Sequence, residues 1–552
     1  MKSLPKSAPI VIVGSGAGGG SAAWRLAVGG YKVLVLEAGP SFNADLDYKQ
    51  NQAEWETPFP SKEGSLSPYT VAPLQKLTLK INDIRSWSKV NGPYVRGNER
   101  ANFGYHHVRG IGGSSLSFTG EAHRINPQSM SMRTRFGVAS DWPVSYDELE
   151  PYWTEAEHLV GVAGSNFHPY CWRSSSYPLP AHRYSYASNV LALGAKKAGL
   201  NPTPNSLAVL SQPFEDRPSC NYCGGCQRGC QLADKGSIDV TYLRHAESTG
   251  KCDVISDTEV LKLLHKNDKV TGLLVSHKGR LEQISSEFVI LAAGAIQTPR
   301  ILLNSSGNDA PDGLANESGQ VGRNLMETLL TTSTGLHPDQ LGSHRGLPVN
   351  WVAWDFNAPD AIEGVIGGAR FGPAMAESDL VGPIAYATRV VGGWGISHRK
   401  AMENTFGKVL SIAGIGESLP NDKTYVELGS EKDKYGLPVA NIHSYLDDMA
   451  HERLRFMMRI CREIIDESGC NETIEEFSSA DAFSSTHVFG TCRMGKDPET
   501  SVVDEFGRSH RWRNLLVADG SIFPSSGGGE SPGLTIQALA LRSVDALIRE
   551  GI

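Results

Sequence analysis

The chain has 552 residues, 40% hydrophobic and 20% charged, with a formal net charge of −8. That length gives ample core for about two domains, and sixty acidic residues without a long run of Lys and Arg argue against a nucleic-acid partner. No apolar stretch is long enough to cross a bilayer, and the N-terminal hydrophobic segment reads as a strand, so neither a membrane span nor a signal peptide is expected.

Residues 10–14, Ile-Val-Ile-Val-Gly, have the pattern of a buried parallel strand. The strand runs into Gly14-Ser15-Gly16-Ala17-Gly18-Gly19, after which Ala22, Ala23, Leu26 and Ala27 recur at helical spacing. Strand, glycine turn and helix in that order make a dinucleotide fingerprint. Gly14 permits the tight turn, Gly16 lets a pyrophosphate approach the backbone, and Gly19 lets helix and strand pack closely. The helix N-terminus offers unpaired N–H groups to the phosphates, and Ala17 falls within the stretch expected to hold them. A second strand, Lys32-Val33-Leu34-Val35-Leu36, ends in Glu37, whose carboxylate is placed to accept from both ribose hydroxyls.

Residues 41–108 are rich in Pro, Ser, Asn and aromatic side chains and lead into a second glycine turn, Val108-Arg109-Gly110-Ile111-Gly112-Gly113-Ser114-Ser115. Near 147–161 the acidic run before Pro151 predicts a helix start, with the proline tolerated in its first turn.

Residues 220–230 pack four of the nine cysteines into C-x2-C-x2-C-x3-C spacing: Cys220, Cys223, Cys226 and Cys230. Thiolates so spaced on a Gly-bearing loop can converge on one small metal core, and the spacing is an iron–sulfur signature. A structural zinc knot and two local disulfides are the alternatives. Cys171, Cys252, Cys461, Cys470 and Cys492 have no framework spacing and are expected to be plain thiols.

Short strands are predicted at 253–264, 270–277 and 286–293, followed by a further strand–glycine–helix unit through Ala293, Gly294 and Ala295. Residues 328–445 mix Gly, Pro, Trp and strand-like runs, which suits an antiparallel sheet walling a substrate cavity. Met449, Leu454, Phe456, Met457, Ile460 and Ile464 predict one amphipathic helix over 447–469. Towards the C-terminus, His487-Val488-Phe489-Gly490-Thr491-Cys492-Arg493 precedes a strand ending in Asp519-Gly520. A glycine-rich loop, 525–533, then opens onto a last helix through Leu534, Ala538 and Leu541. Such a loop can lay backbone N–H groups against anionic or electron-rich atoms.

Taken together these motifs resemble the glucose–methanol–choline (GMC) oxidoreductases over nearly the whole chain. The resemblance rests on Gly14-x-Gly16-x-x-Gly19 with Glu37, the Arg109–Ser115 turn, Ala292-Ala293-Gly294-Ala295-Ile296-Gln297-Thr298-Pro299, the His487–Arg493 segment, and Asp519-Gly520 with Leu534-Thr535-Ile536-Gln537-Ala538. It implies an α/β fold: a Rossmann-like FAD-binding domain of GMC type, similar to p-hydroxybenzoate hydroxylase, from residues 1–165, 218–327 and 485–552. An α+β substrate domain built on an antiparallel sheet would come from 166–217 and 328–484. FAD would be held by Gly14, Gly16, Ala17, Gly19 and Glu37 at its ADP half. Arg109, Gly112, Gly113, Ser114, Ser115, Val260, Ala293, Gly294, Asp519, Gly520, Leu534 and Thr535 complete the expected cofactor site.

Within the family the chain looks most similar to the iron–sulfur-containing catalytic subunits of bacterial sugar and glycoside dehydrogenases. Their three-iron cluster implies Cys220, Cys226 and Cys230 as ligands, with Cys223 either completing a four-iron cluster or remaining free. His487 is implied as the base that takes the hydroxyl proton from an alcohol, because neutral imidazole titrates in the useful range. The second catalytic position, usually Asn or His, falls on Ser531; neighbouring Glu530 is the alternative. The implied partners are a small-molecule alcohol or sugar, a small signal-bearing subunit and a cytochrome c-type electron acceptor. Without such a subunit the chain is expected in the cytoplasm. An oxidase that reduces oxygen to peroxide, and a zinc-stapled dinucleotide sensor, are the competing functions.

Overall fold

The computed structural model describes residues 3–48, 94–96, 107–374, 391, 394–480 and 487–552. In chain order its main elements begin with strand β1 (Ser7–Val13), helix α1 (Ala17–Val28), strand β2 (Val33–Leu36) and helix α2 (Tyr146–Val160). Strands β3 (Cys252–Ile255), β4 (Thr258–Lys266), β5 (Lys269–His277) and β6 (Arg280–Leu291) follow, then helix α3 (Gly294–Asn304). The second half holds strands β7 (Leu329–Leu336), β8 (Ala369–Pro373) and β9 (Val409–Gly416), helix α4 (Asp448–Glu467), strands β10 (Glu472–Ser478) and β11 (Leu515–Val517), and helix α5 (Gly533–Glu550).

The first sheet has the order β3-β2-β1-β6-β5-β4, with β11 also paired to β6. β1, β2, β3, β6 and β11 run parallel, and β4 and β5 form an antiparallel hairpin on the end of the long β6. All four residues of β2 and the last four of β1 are buried, the continuous apolar run that a strand covered on both faces requires. Register aligns Val13 with Leu36 and Leu291, and Leu291 with Val517, so four parallel strands end side by side. α1 and α5 pack together on this sheet, and the close approach of α1 to the end of β11 needs Gly18, where an added Cβ would lie 1.5 Å from the Ala518 carbonyl oxygen.

A second, fully antiparallel sheet has the order β8-β9-β7-β10. α4 lies across it, burying Leu454, Met457, Ile460, Cys461, Ile464 and Ile465, and this core is separate from that of the first sheet. The predicted strand over 253–264 is in fact two strands. Asp257 adopts φ 53° and turns the chain between them, which brings the Thr258 N–H onto the Glu37 carbonyl at 2.8 Å. Helices at Tyr186–Lys197 and Gly395–Thr405, and a π-helical turn at Asp239–Leu243, were not read from the sequence. Most of 41–108 lies outside the described residues; within it stand a helical turn, Ala44–Asp47, and a strand, Tyr94–Arg96. No described helix is long and apolar enough to cross a membrane.

The segment following the second glycine turn is anchored by a buried ion network. Arg124 donates through Nε and Nη2 to the two carboxylate oxygens of Glu157, both at 2.9 Å, and through Nη1 to Glu150 at 2.9 Å, while Arg173 also pairs with Glu157. Removing one member leaves charge without full compensation in the interior. Arg124→Ala is therefore expected to destabilise the fold by about 3 kcal/mol, the lower end for a broken buried pair because Arg173 remains. Denaturant unfolding of the two proteins checks this.

Candidate active site

A cavity of about 280 Å³ opens where the parallel strands end. The N-termini of α1, α3 and α5 border it through Gly16-Ala17, Gly294-Ala295 and Ser531-Pro532-Gly533; none of the three N-cap residues caps its own helix, and only at α3 does a distant side chain, Asp519, take the first amide. Uncapped helix starts leave N–H donors free and present the positive end of the helix dipole, which suits phosphate and other electron-rich groups.

The glycine turns shape the cavity wall as the fingerprint predicts. Gly14 has φ +94°, and a Cβ there would sit 2.4 Å from the Ala292 carbonyl oxygen. A Cβ at Gly19 would lie 2.0 Å from the Gly14 carbonyl oxygen, so this residue sits beneath the wall rather than in it. At Gly16 the nearest atom is 3.8 Å away, leaving backbone open to a ligand. Gly113, Ser114 and Ser115 line the cavity beside Gly16, whereas Gly112 turns inward with φ +108° and donates its N–H to Ser15 Oγ at 3.1 Å.

Glu37 lines the cavity at the end of β2. Its Oε2 accepts from Ser15 N at 3.1 Å and Ser15 Oγ at 2.5 Å, and its Oε1 accepts from Gly39 N at 2.9 Å. The carboxylate thus joins the first glycine turn to the strand beside it, and keeps unused acceptor capacity. Arg109, also in the wall, pairs with Glu259 at 3.2 Å, next to Val260. At the far side Asp519 and Gly520 line the cavity with Ala293 and Gly294. Asp519 accepts from Gly294 N (2.9 Å), Thr298 Oγ1 (2.6 Å) and Ser521 N (2.8 Å), so its side chain ties α3 to the turn after β11. Leu534 and Thr535 stand behind the wall in the first turn of α5, where Trp153 Nε1 donates to Thr535 Oγ1 at 3.1 Å.

His487 and Ser531 both line this cavity. His487 precedes a short strand, Val488–Phe489, paired with Met326–Glu327, and its carbonyl accepts from Thr328 N at 3.1 Å. Burial lowers its pKa to about 4, with Glu121 pulling upward and Arg370 pushing further down. The imidazole is therefore neutral near pH 7. Ser531 N donates to His123 Nδ1 at 3.0 Å. The alternative residue, Glu530, is absent from the cavity wall and accepts from Asn126 N and Asn357 Nδ2 at 3.0 and 2.9 Å. The glycines before it also differ from expectation. Added Cβ atoms at Gly528 and Gly529 would each lie 2.2 Å from a backbone oxygen, of Asn357 and of Ile415 in β9 respectively, so both pack tightly on the protein.

The sequence reading missed several polar groups at the cavity. His107, Glu259, Gln297 and Gln537 line it; Gln297 and Gln537 lie inside the family motifs already quoted and could have been found there. Glu121, His123 and Arg370, which act on His487 through charge, carry no motif signal.

None of the four clustered cysteines is in a disulfide: Cys220 and Cys226 are buried, Cys230 partly so, and Cys223 is exposed. Among the described residues no group of three or more His, Cys, Asp or Glu side chains has metal-holding geometry, so the expected convergence of the four thiols is not seen. Local contacts hold them instead. Cys230 Sγ lies 3.0 Å from Asp234 Oδ1, Tyr222 N donates to Cys220 Sγ at 3.3 Å, and Cys220 and Cys226 pack with Leu207, Val209 and Leu347. Burial pushes the Cys226 thiol up to about 11 and that of Cys230 to about 12. The loop lies directly against the turn that lines the cavity, where Ser117 Oγ donates to the Gln227 carbonyl at 2.9 Å.

Comparison with known proteins gives this arrangement a family. GMC oxidoreductase family models match residues 104–329 and 420–540, and a NAD(P)-binding Rossmann-like domain matches 12–51. The chain is 28% identical to 2-methyl-1,2-propanediol dehydrogenase of Mycolicibacterium austroafricanum, covering 98% of this chain and 95% of the relative. It is 26% identical to the fructose dehydrogenase large subunit of Gluconobacter japonicus, covering 99% and 98%. The fold matches that of pyridoxine 4-oxidase from Mesorbium loti with a TM-score of 0.64 at 19% identity, over 98% of this chain and 99% of the other. With its FAD-type glycine fingerprint, its uncapped helix starts and both family segments in place, the chain belongs to the GMC oxidoreductases, enzymes that act on the CH–OH group of alcohols and sugars.

Proposed function

We propose that this enzyme is an FAD-dependent dehydrogenase that oxidises an alcohol group of a sugar, glycoside or related polyol to a carbonyl. The observation that carries the reading is the convergence of His487, Ser531 and three helix N-termini on one cavity. The residues fit FAD: Gly14, Gly16, Ala17 and Glu37 would hold the ADP half, and Arg109, Gly113, Ser114, Ser115, Val260, Ala293, Gly294, Asp519 and Gly520 would surround the remainder. When bound, the flavin supplies the two-electron acceptor for a hydride leaving the carbinol carbon.

The protein's own part is to hold the alcohol and move its proton. His487, kept neutral by burial, accepts the hydroxyl proton, a role in which a positioned base contributes about 10²–10⁴-fold. Ser531 can donate to or accept from a substrate oxygen, with shorter reach than the usual amide or imidazole.

Cys220, Cys226 and Cys230, with Cys223, would hold a 3Fe-4S or 4Fe-4S cluster, whose chemistry is one-electron transfer. The cysteine spacing alone supports that assignment, since the four thiols do not converge as they stand. A small signal-bearing subunit and a cytochrome c-type acceptor complete the proposal. Dehydrogenases and oxidases both occur among the relatives, so oxygen is the competing acceptor.

His487→Ala is expected to retain FAD while losing about 10²–10⁴-fold in the rate of flavin reduction by substrate, measured by stopped-flow absorbance across a panel of monosaccharides, glycosides, cyclitols and aliphatic alcohols. Fast reduction by this variant would refute the base. For the wild type, kcat/KM should hold steady from neutral pH downward and fall as pH drops through about 4, where His487 gains its proton and can no longer accept one. Cys226→Ser should abolish protein-bound iron and slow electron delivery to a cytochrome while sparing flavin reduction. Zinc, or no metal, in the wild-type protein would sink the cluster, and rapid reoxidation by air would favour the oxidase.

A further inference from the structure

Four consecutive residues of the loop that ends at Ser531 are each held by a side chain from elsewhere in the chain. Asn357 Nδ2 donates to the Gly528 carbonyl at 3.1 Å, and Arg370 Nε to the Gly529 carbonyl at 2.6 Å. Glu530 accepts from Asn126 N and Asn357 Nδ2, and Ser531 N donates to His123 Nδ1 at 3.0 Å.

The holds on Gly529 and Ser531 converge on one carboxylate. Glu121 Oε2 accepts from Arg370 Nη2 at 2.8 Å, and Glu121 Oε1 accepts from Asn205 Nδ2 at 3.0 Å. Asn205 Oδ1 in turn stands 2.8 Å from His123 Nε2. Because His123 Nδ1 accepts the Ser531 amide proton, the ring proton must sit on Nε2 and point at Asn205. Asn205 is fixed in the same sense, since its Nδ2 also donates to the Val349 carbonyl at 2.8 Å. Every donor and acceptor in the relay therefore has one assignment. All four side chains are at least nine-tenths buried, with Glu121 7%, His123 2%, Asn205 1% and Arg370 2% exposed.

A buried ion pair of this kind adds little stability over an apolar core of the same shape, but it defines geometry where geometry matters. We propose that Glu121 is a positioning residue of the reaction: through Arg370 on one side and Asn205–His123 on the other, it fixes the Gly529–Ser531 turn and so aims the Ser531 hydroxyl into the cavity that His487 lines. This inference rests on the reading that His487 and Ser531 handle the substrate. The pair also sets the field at His487, which is faced by Glu121, Arg370 and His123, with Glu530 beside Arg370. Burial works to raise the Glu121 carboxyl, but Arg370, His123 and Asn205 outweigh it and hold it at about 2, so it stays ionised throughout the working range.

The test is a double-mutant cycle on the FAD-loaded enzyme, with flavin content and circular dichroism recorded for each protein. E121Q alone should keep its FAD and lose about 10²-fold in kcat, the scale of a misplacement near 1 Å. In the S531A background the same change should cost no more than about 2-fold, because the hydroxyl it aims is gone. The acid limb of kcat/KM should also move to lower pH in E121Q, since an anion that favours the imidazolium has been removed; a purely structural defect leaves the limb in place. Should E121Q fail to fold, R370K enters the same cycle, as a lysine keeps the cation but cannot reach Glu121 and the Gly529 carbonyl together. Equal losses in both backgrounds, or wild-type turnover by E121Q, overturn the inference. Fast flavin reduction by H487A would instead overturn the underlying reading, whatever the cycle gives.

Discussion

Parallel strands that end in register beside helix N-termini whose N-cap residues supply no side-chain cap are the constraint on which this molecule depends. β1, β6 and β11 stop at Val13, Leu291 and Val517, and α1 and α3 begin within a few residues of the first two ends. Each uncapped helix leaves up to four N–H groups without an internal acceptor. Concentrating such ends at one place costs stability unless something electron-rich satisfies them, so the fold and its cofactor are tied by the same unpaid hydrogen bonds.

Two buried carboxylates keep that arrangement open instead of letting it collapse on itself. Glu37 accepts the amides of Ser15 and Gly39, and Asp519 those of Gly294 and Ser521. Burial raises the pKa of both, and the amide hydrogen bonds oppose that rise. Each therefore spends its charge on the turns flanking the cavity, fixing loops on either side of it. Asp519 thus lines the site while also tying the protein together on its far side.

Much of the first sheet was legible because its signals are local. A run of four buried aliphatic residues, a glycine turn and a small-residue helix follow one another without interruption in β1 and α1, and again from β6 into α3. α4 was legible for a similar reason: six apolar residues at helical spacing over twenty positions admit one reading. Strand pairing was not legible, since nothing local says that β11, more than two hundred residues downstream, docks on β6. Within the site, His487 and Ser531 sat in recognisable segments. Glu121, His123, Asn205 and Arg370 did not, because their roles arise only when four distant stretches meet. The glycines at 527–529 misled in the opposite sense: composition suggested a ligand-facing loop, but tight packing on Asn357 and Ile415 accounts for two of them.

The cysteine loop is the remaining link between sequence and site, and Lys235 explains why it stands where it does. This ammonium is 1% exposed and donates to the carbonyls of Leu116, Phe118 and Cys226 at 2.8, 3.1 and 2.5 Å. An ammonium has three donors, and all three are used here on backbone oxygens from two segments. One of those segments continues from the turn that lines the cavity, and the other carries the thiols. Losing any of these acceptors would leave a charged donor unpaired in the interior, which costs far more than the bond contributes when made. The cysteine loop is therefore clamped to the segment beside the cavity by one shared ammonium nitrogen together with the Ser117–Gln227 hydrogen bond.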